Sequence, residues 1–121
     1  MTRKEIATSF VIETATSDVL KAFKLYTDPS FKHHNVYTEA ETPKLIQAMK
    51  ESRLQFPDRT VTILHVLEDG DFVSVRSHIV MNQNVLEVIA VHTFKFKDQK
   101  IIEMWDTVQI IPEEVVNLNG F

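Results

Sequence analysis

Two titratable residues near the end of the chain stand out by type and spacing. Asp106 sits in KIIEMWDTVQIIP (Lys100–Pro112), where strand alternation groups it with Ile102, Met104, Val108 and Ile110. It is the only ionisable group on that apolar face. His92 holds the same position on the preceding run, sharing a face with Leu86, Val88, Ala90, Phe94 and Phe96. A carboxylate in such a place must find a partner or shift its pKa upward, because an unpaired buried charge is very costly. An imidazole beside it can exchange protons near neutral pH without a cofactor. A tight turn at Asp98-Gln99 predicts His92 opposite Trp105 and diagonal to Asp106. The same spacing also suits a structural Asp–His hydrogen bond that satisfies two buried groups.

The second constellation is FKHHN (31–35). His34 and Asn35 fall where a helical hairpin hands over to the next helix, a place from which side chains can reach into a cavity. An asparagine there serves a local turn equally well. Tyr37 and Phe94, with Phe23, Tyr26 and Met49, are expected to shape a pocket. His78 is carried as a candidate pocket residue; Val73, Val75, Ile79 and Met81 hold the more obvious core face of its strand, which leaves an outward or interface position open for it. His65, between Leu64 and Val66, reads as structural. Five histidines raise the question of a metal, but there is no HxH or HExxH spacing, and three strands would have to converge to build a site. No metal and no cofactor are expected.

The elements that position these residues follow from the pattern. Ile6, Phe10 and Val11 at helical spacing predict a first helix over about residues 3–13. Ser17-Asp18 can cap a second, VLKAFKLYTD, which Asp28-Pro29 stops. FKHHNVYTEAE reads as irregular. Thr42 as N-cap and Pro43 at the first helical position open PKLIQAMKESRLQF. After Pro57 the period becomes strand-like: Thr60–Glu68, a turn at EDGD (68–71), Phe72–Met81, a turn at MNQN (81–84), Val85–Lys97, and the terminal strand. Helices followed by an antiparallel meander predict an α+β fold, with a curved sheet around one concave, largely apolar pocket.

With 121 residues the chain is expected to form one domain. The formal net charge of -4 has no basic patch behind it and argues against nucleic-acid or anionic membrane partners. The absence of cysteine removes disulfides, thiol catalysis and cysteine-ligated zinc, and makes a reducing cytoplasm the easiest compartment. The N-terminal MTRKEIATSF has no long apolar run, so neither a signal peptide nor a membrane span is expected. Two glycines cannot build a glycine-rich phosphate loop.

Taken together, HHN at 33–35, GDFVSVRSHIV at 70–80, VHTFKF at 91–96 and KIIEMWDTVQIIPE at 100–113 resemble the SnoaL-like polyketide cyclase group of the NTF2-like superfamily, which also holds ketosteroid isomerase and limonene-epoxide hydrolase. The resemblance covers nearly the whole chain. It implies a cone-shaped α+β barrel, with N-terminal helices packed on a curved, mainly antiparallel sheet of four or more strands. It also implies frequent dimerisation through the sheet and a hydrophobic pocket between sheet and helices. In the cyclases a strand carboxylate drives a cofactor-free aldol condensation, helped by nearby Asn and His. Asp106 would be that carboxylate, with Asn35 and His34 at the pocket mouth. The chain departs from the group's pattern at Val36, where proline usually follows the Asn, and at Gln99, where glycine is common. His92 stands where many relatives carry Asp, and a His–Asp pair titrates differently from two carboxylates. Besides an enzyme acting on a hydrophobic carbonyl compound, two other readings stand. One is a non-catalytic pocket protein that binds a small hydrophobic ligand; the other is a homodimerising module with Trp105, Thr107 and Gln109 at its interface.

Overall fold

The computed structural model describes residues 1–83 and 85–121. The chain runs α1 (Arg3–Thr16), α2 (Val19–Tyr26), β1 (Thr27–His33), α3 (Thr42–Gln55), β2 (Thr60–Asp69), β3 (Phe72–Asn82), β4 (Leu86–Lys97) and β5 (Lys100–Ile110). The five strands form one open, mixed sheet in the order β1-β5-β4-β3-β2. β2 to β5 are the expected antiparallel meander, while β1 pairs parallel to β5. The α+β architecture is the one anticipated, with the helices packed on one side of a curved, unclosed sheet. Of the MNQN turn, Asn84 lies outside the described residues. No helix is long and apolar enough to cross a membrane.

Local chemistry sets the helix ends. The Thr2 hydroxyl accepts from Glu5 N–H and the Glu5 carboxylate accepts from Thr2 N–H, each at 3.1 Å, a reciprocal cap that satisfies two of the orphan donors opening α1. Asp18 caps α2 by accepting from Lys21 N–H at 3.1 Å. α3 departs from expectation. Its N-cap is Glu41 rather than Thr42, without a side-chain cap, and the Thr42 hydroxyl instead donates to Phe31 O at 3.3 Å. That bond ties the start of α3 to β1.

β1 was not expected, since TDPSFKH has neither alternation nor β-branched richness beyond Thr27. It is a strand because the edge of β5 offers it hydrogen-bonding partners across some seventy residues of chain. Phe31 from this segment is buried and stands edge-on to Phe23 at 5.4 Å; Phe23 and Phe94 in turn meet Phe10 at 5.1 and 5.6 Å. These T-shaped contacts, favoured by the ring quadrupole, join α1, α2, β1 and β4 in one core.

The register of β4 against β5 decides the site. Lys97 pairs Lys100 and Phe96 pairs Ile101, as a tight turn at Asp98-Gln99 requires; Asp98 takes the left-handed φ of 53° that such a turn needs. Between Phe96 and Lys95 the register slips by one, leaving Ile102 unpaired in a β-bulge. Two expectations change. Ile101, not Ile102, is fully buried with Met104. His92 lies directly opposite Asp106, not opposite Trp105. Alternation read straight through the strand could not register the extra residue.

Candidate functional site

His92 and Asp106 face each other as cross-strand partners on the side of the sheet that carries the helices, a placement that puts their Cβ atoms about 5 Å apart. Phe94 lies next to them on β4, fully buried, its ring parallel to that of His92 at 6.0 Å. Phe94 is thus a floor beneath the pair and belongs to the core through Phe10. His92 keeps some accessible surface, but its Nδ1 is sealed from solvent and has no hydrogen-bond partner. Among the described residues no hydrogen bond joins it to Asp106. Burial holds the imidazole pKa below its ordinary value, and the charge of Asp106 pulls it part of the way back. His92 is therefore a neutral imidazole at pH 7.

Asp106 is held from the other side. Asn35 Nδ2 donates to Asp106 Oδ2 at 2.8 Å, fixing the carboxylate from the loop that follows β1. That loop is organised by His33, a residue whose part the sequence did not reveal. His33 is buried; Asn35 N–H donates to its Nδ1 at 3.1 Å, so the ring proton sits on Nε2, which donates to Glu39 O at 2.9 Å. The Asn35 side-chain oxygen then accepts from Tyr37 N–H at 3.0 Å. Asn35 thus acts in both ways its sequence allowed, as turn former and as partner of the carboxylate.

The other candidates lie elsewhere. His34 stacks flat on Trp105, with centroids 5.0 Å apart, and its Nε2 donates to Glu103. Both neighbours are on the sheet face opposite Asp106, so His34 is on the outer face. His78 is there too, its Nε2 at 3.0 Å from Glu87 Oε1 and its ring 5.0 Å from that of Phe121. Tyr37 projects into solvent, 94% exposed. The structure therefore brings together Asp106, His92, Asn35 and Phe94, and separates them from His34, His78 and Tyr37. Among the described residues no three His, Cys, Asp or Glu side chains are grouped to hold a metal.

A cavity of about 120 Å³ opens over His92, between the sheet and helices α1 and α3. Val11, Ala15, Met49 and Ile79 form its apolar half; Thr14, Ser52, Arg59 and His92 form the other. The wall is thus mixed, where a largely apolar one was expected. The reason lies at the C-terminal end of α1, whose last carbonyls must be satisfied. Arg59 Nε donates to Ala15 O and one Arg53 Nη to Thr16 O at 2.9 Å. Arg59 also donates to Ser52 Oγ at 3.1 Å. Sequence reasoning missed Arg59; its one signal was a lone basic residue between Pro57 and the first apolar residue of β2. Larger hollows of about 510 and 540 Å³ flank the β3–β4 turn and touch neither His92 nor Asp106, so volume alone does not mark the site.

With this geometry in hand, the comparisons with known proteins are specific. The family model described as a SnoaL-like domain matches residues 9–104. No curated protein matches by sequence. Among solved structures, AclR, a proposed hydroxylase from Streptomyces galilaeus, superposes with a TM-score of 0.76 at 19% identity, over 88% of each chain. A proposed SnoaL-like polyketide cyclase from a Jannaschia species gives a TM-score of 0.75 at 19% identity, over 88% of this chain and 85% of that one. IdmH, a proposed polyketide cyclase from Streptomyces antibioticus, gives 0.71 at 16% identity, over 90% and 93%. At such identities the superpositions speak for the fold, and the family match over residues 9–104 speaks for descent: the chain belongs to the SnoaL-like domain family.

Proposed function

We propose that this protein is a cofactor-independent enzyme of general acid/base type, acting on a small carbonyl compound with an apolar body. Asp106 takes a proton from the carbon next to the carbonyl. The electron pair of that C–H bond moves to the carbonyl oxygen, and the resulting enolate is met by the neutral His92 imidazole. Protonation of the enolate at another carbon gives isomerisation; its attack on a second carbonyl of the same molecule gives aldol closure. Asn35 keeps Asp106 aimed, and the work belongs to a one-domain protein in a reducing cytoplasm. The observation that carries this reading is the direct opposition of Asp106 and His92, with His92 lining a cavity and its Nδ1 buried and unpartnered. A merely structural pair would hydrogen-bond to itself.

The test is solvent deuterium exchange at the acidic carbon of 1,3-dicarbonyl compounds, followed by NMR. The wild type is expected to accelerate exchange, and a folded Asp106→Asn variant to lose at least about 100-fold, the usual share of a general base. Unchanged exchange in D106N would remove Asp106 from the mechanism.

A second reading has its own support. The 120 Å³ cavity is below the roughly 300 Å³ at which ligand pockets begin, and the outer face exposes Phe72 and Leu67. Both fit a homodimerising module with a nearly filled interior, for which absent ligand uptake together with dilution-dependent dissociation would be the evidence.

A further inference from the structure

The charge in the cavity wall is positive: Arg59 is its ionised side chain among the described residues, and the Asp106 carboxylate beside His92 is not part of the wall. Arg59 lines the cavity, half-buried, with Arg53 close enough to lower its pKa further beyond the effect of burial itself. A guanidinium stays protonated under any such shift, so two full positive charges stand together. Among the described residues neither arginine has a carboxylate within 4 Å; the ion pairs are all elsewhere. Their partners are neutral: the carbonyls of Ala15, Thr16 and Pro57 and the Ser52 hydroxyl. The C-terminal dipole of α1 offsets about half a charge, a quarter of what is there. Donors are left over as well. Arg53 Nε is buried with no partner, and one Nη of Arg59 has none among the described residues. Across the same cavity, His92 Nδ1 is also buried and unpartnered. A guanidinium at one wall, with a second behind it and no carboxylate partner, and an unpartnered imidazole nitrogen at the other are costly unless something fills the gap.

We infer that the cavity takes an anionic group, and that the substrate is a carbonyl compound bearing a carboxylate that Arg59 binds. This rests on the acid/base reading of the same site and narrows its substrate class. At about 30 Å³ per water the cavity has the volume of roughly four waters. That suits a carboxylate and the two or three carbons after it. Arg59 binds and orients, and takes no part in the proton transfer. Arg rather than Lys suits the task, since its planar fork matches a carboxylate while Nε remains on the Ala15 carbonyl.

The experiment compares propionate with its neutral isostere propionamide by NMR titration of the wild-type protein, reading the His92 ring resonances. Propionate is expected to saturate and shift them with at least tenfold higher affinity than propionamide. Arg59→Gln is expected to abolish that preference and Arg59→Lys to keep part of it. Equal binding of the two probes, or binding that leaves His92 unmoved, would overturn the inference. Because Arg59 also holds the end of α1, R59Q is checked by circular dichroism; if it does not fold, the wild-type ratio decides. Failure of the proton-transfer reading is separable. D106N would then keep its exchange activity, whereas the anion site predicts that D106N binds propionate at least as well as the wild type.

Discussion

Single side chains here are placed at odds with their solvation, and this is measurable. His92 is held neutral by burial, so its folded pKa lies below the unfolded value near 6.5. Between those two values the unfolded chain binds a proton that the folded chain refuses. Stability is therefore fully present above about pH 6.5 and falls as the pH is lowered toward the folded pKa, by up to about 1.4 kcal/mol per pH unit. Urea titrations at stepped pH should show this slope, and His92→Gln should flatten it. D106N should extend the slope to lower pH, because the carboxylate that favours the imidazolium is gone. Ser77 offers a second case. It is fully buried on the inner face of β3, opposite Ala90, and its hydroxyl has no partner. An unmade buried hydrogen bond costs about 1–3 kcal/mol, so Ser77→Ala should raise the unfolding free energy from urea titration by on the order of 1 kcal/mol once the lost packing is subtracted.

At the scale of elements, the bulge at Ile102 is what makes the site. Without it β5 would keep the register of its turn, His92 would oppose Trp105, and every residue from Glu103 onward would change face. Deleting the unpaired Ile102 removes the bulge and its extra residue together but leaves Glu103 opposite Lys95, so Asp106 should stay opposite His92 and keep its bond with Asn35. The expected result is retained exchange activity, with nuclear Overhauser contacts between β4 and β5 reporting an unchanged pairing from Glu103 onward. A one-residue shift of those contacts in that variant would show that Ile102 is not the residue that absorbs the slip. The β1 loop is the complementary device. His33, bonded to Asn35 N–H and Glu39 O, turns the chain so that Asn35 reaches Asp106 from the edge of the sheet.

For the whole molecule, the two faces of the sheet divide the work. The inner face carries the core and the candidate site. The outer face carries the His34–Trp105 stack, the His78–Glu87 pair and the exposed Phe72 and Leu67. We propose that the outer face joins two copies. Phe72, 42% exposed and 6.1 Å from Trp105, is the residue to test. Phe72→Glu should move sedimentation from dimer to monomer at micromolar concentration while leaving carboxylate binding intact. A wild type that sediments as a monomer would refute the dimer and leave the inner site untouched.

How much of this was legible follows from which interactions are local. Capping by Asp18, the amphipathic spacing of Ile6 and Phe10, and the alternation along β2 to β5 act within a few residues, so the sequence by itself determined the α+β plan, three helices, the meander, and Asp106 and His92 as the polar members of apolar faces. The tertiary structure alone decided the rest. β1 exists through pairing with β5, the bulge through the fit of two strands, and Arg59 reaches the cavity because the carbonyls ending α1 needed donors. The faces of His34 and His78 likewise depend on which side of the sheet the helices cover. Each depends on partners distant in the chain, and such partners leave no mark on local periodicity.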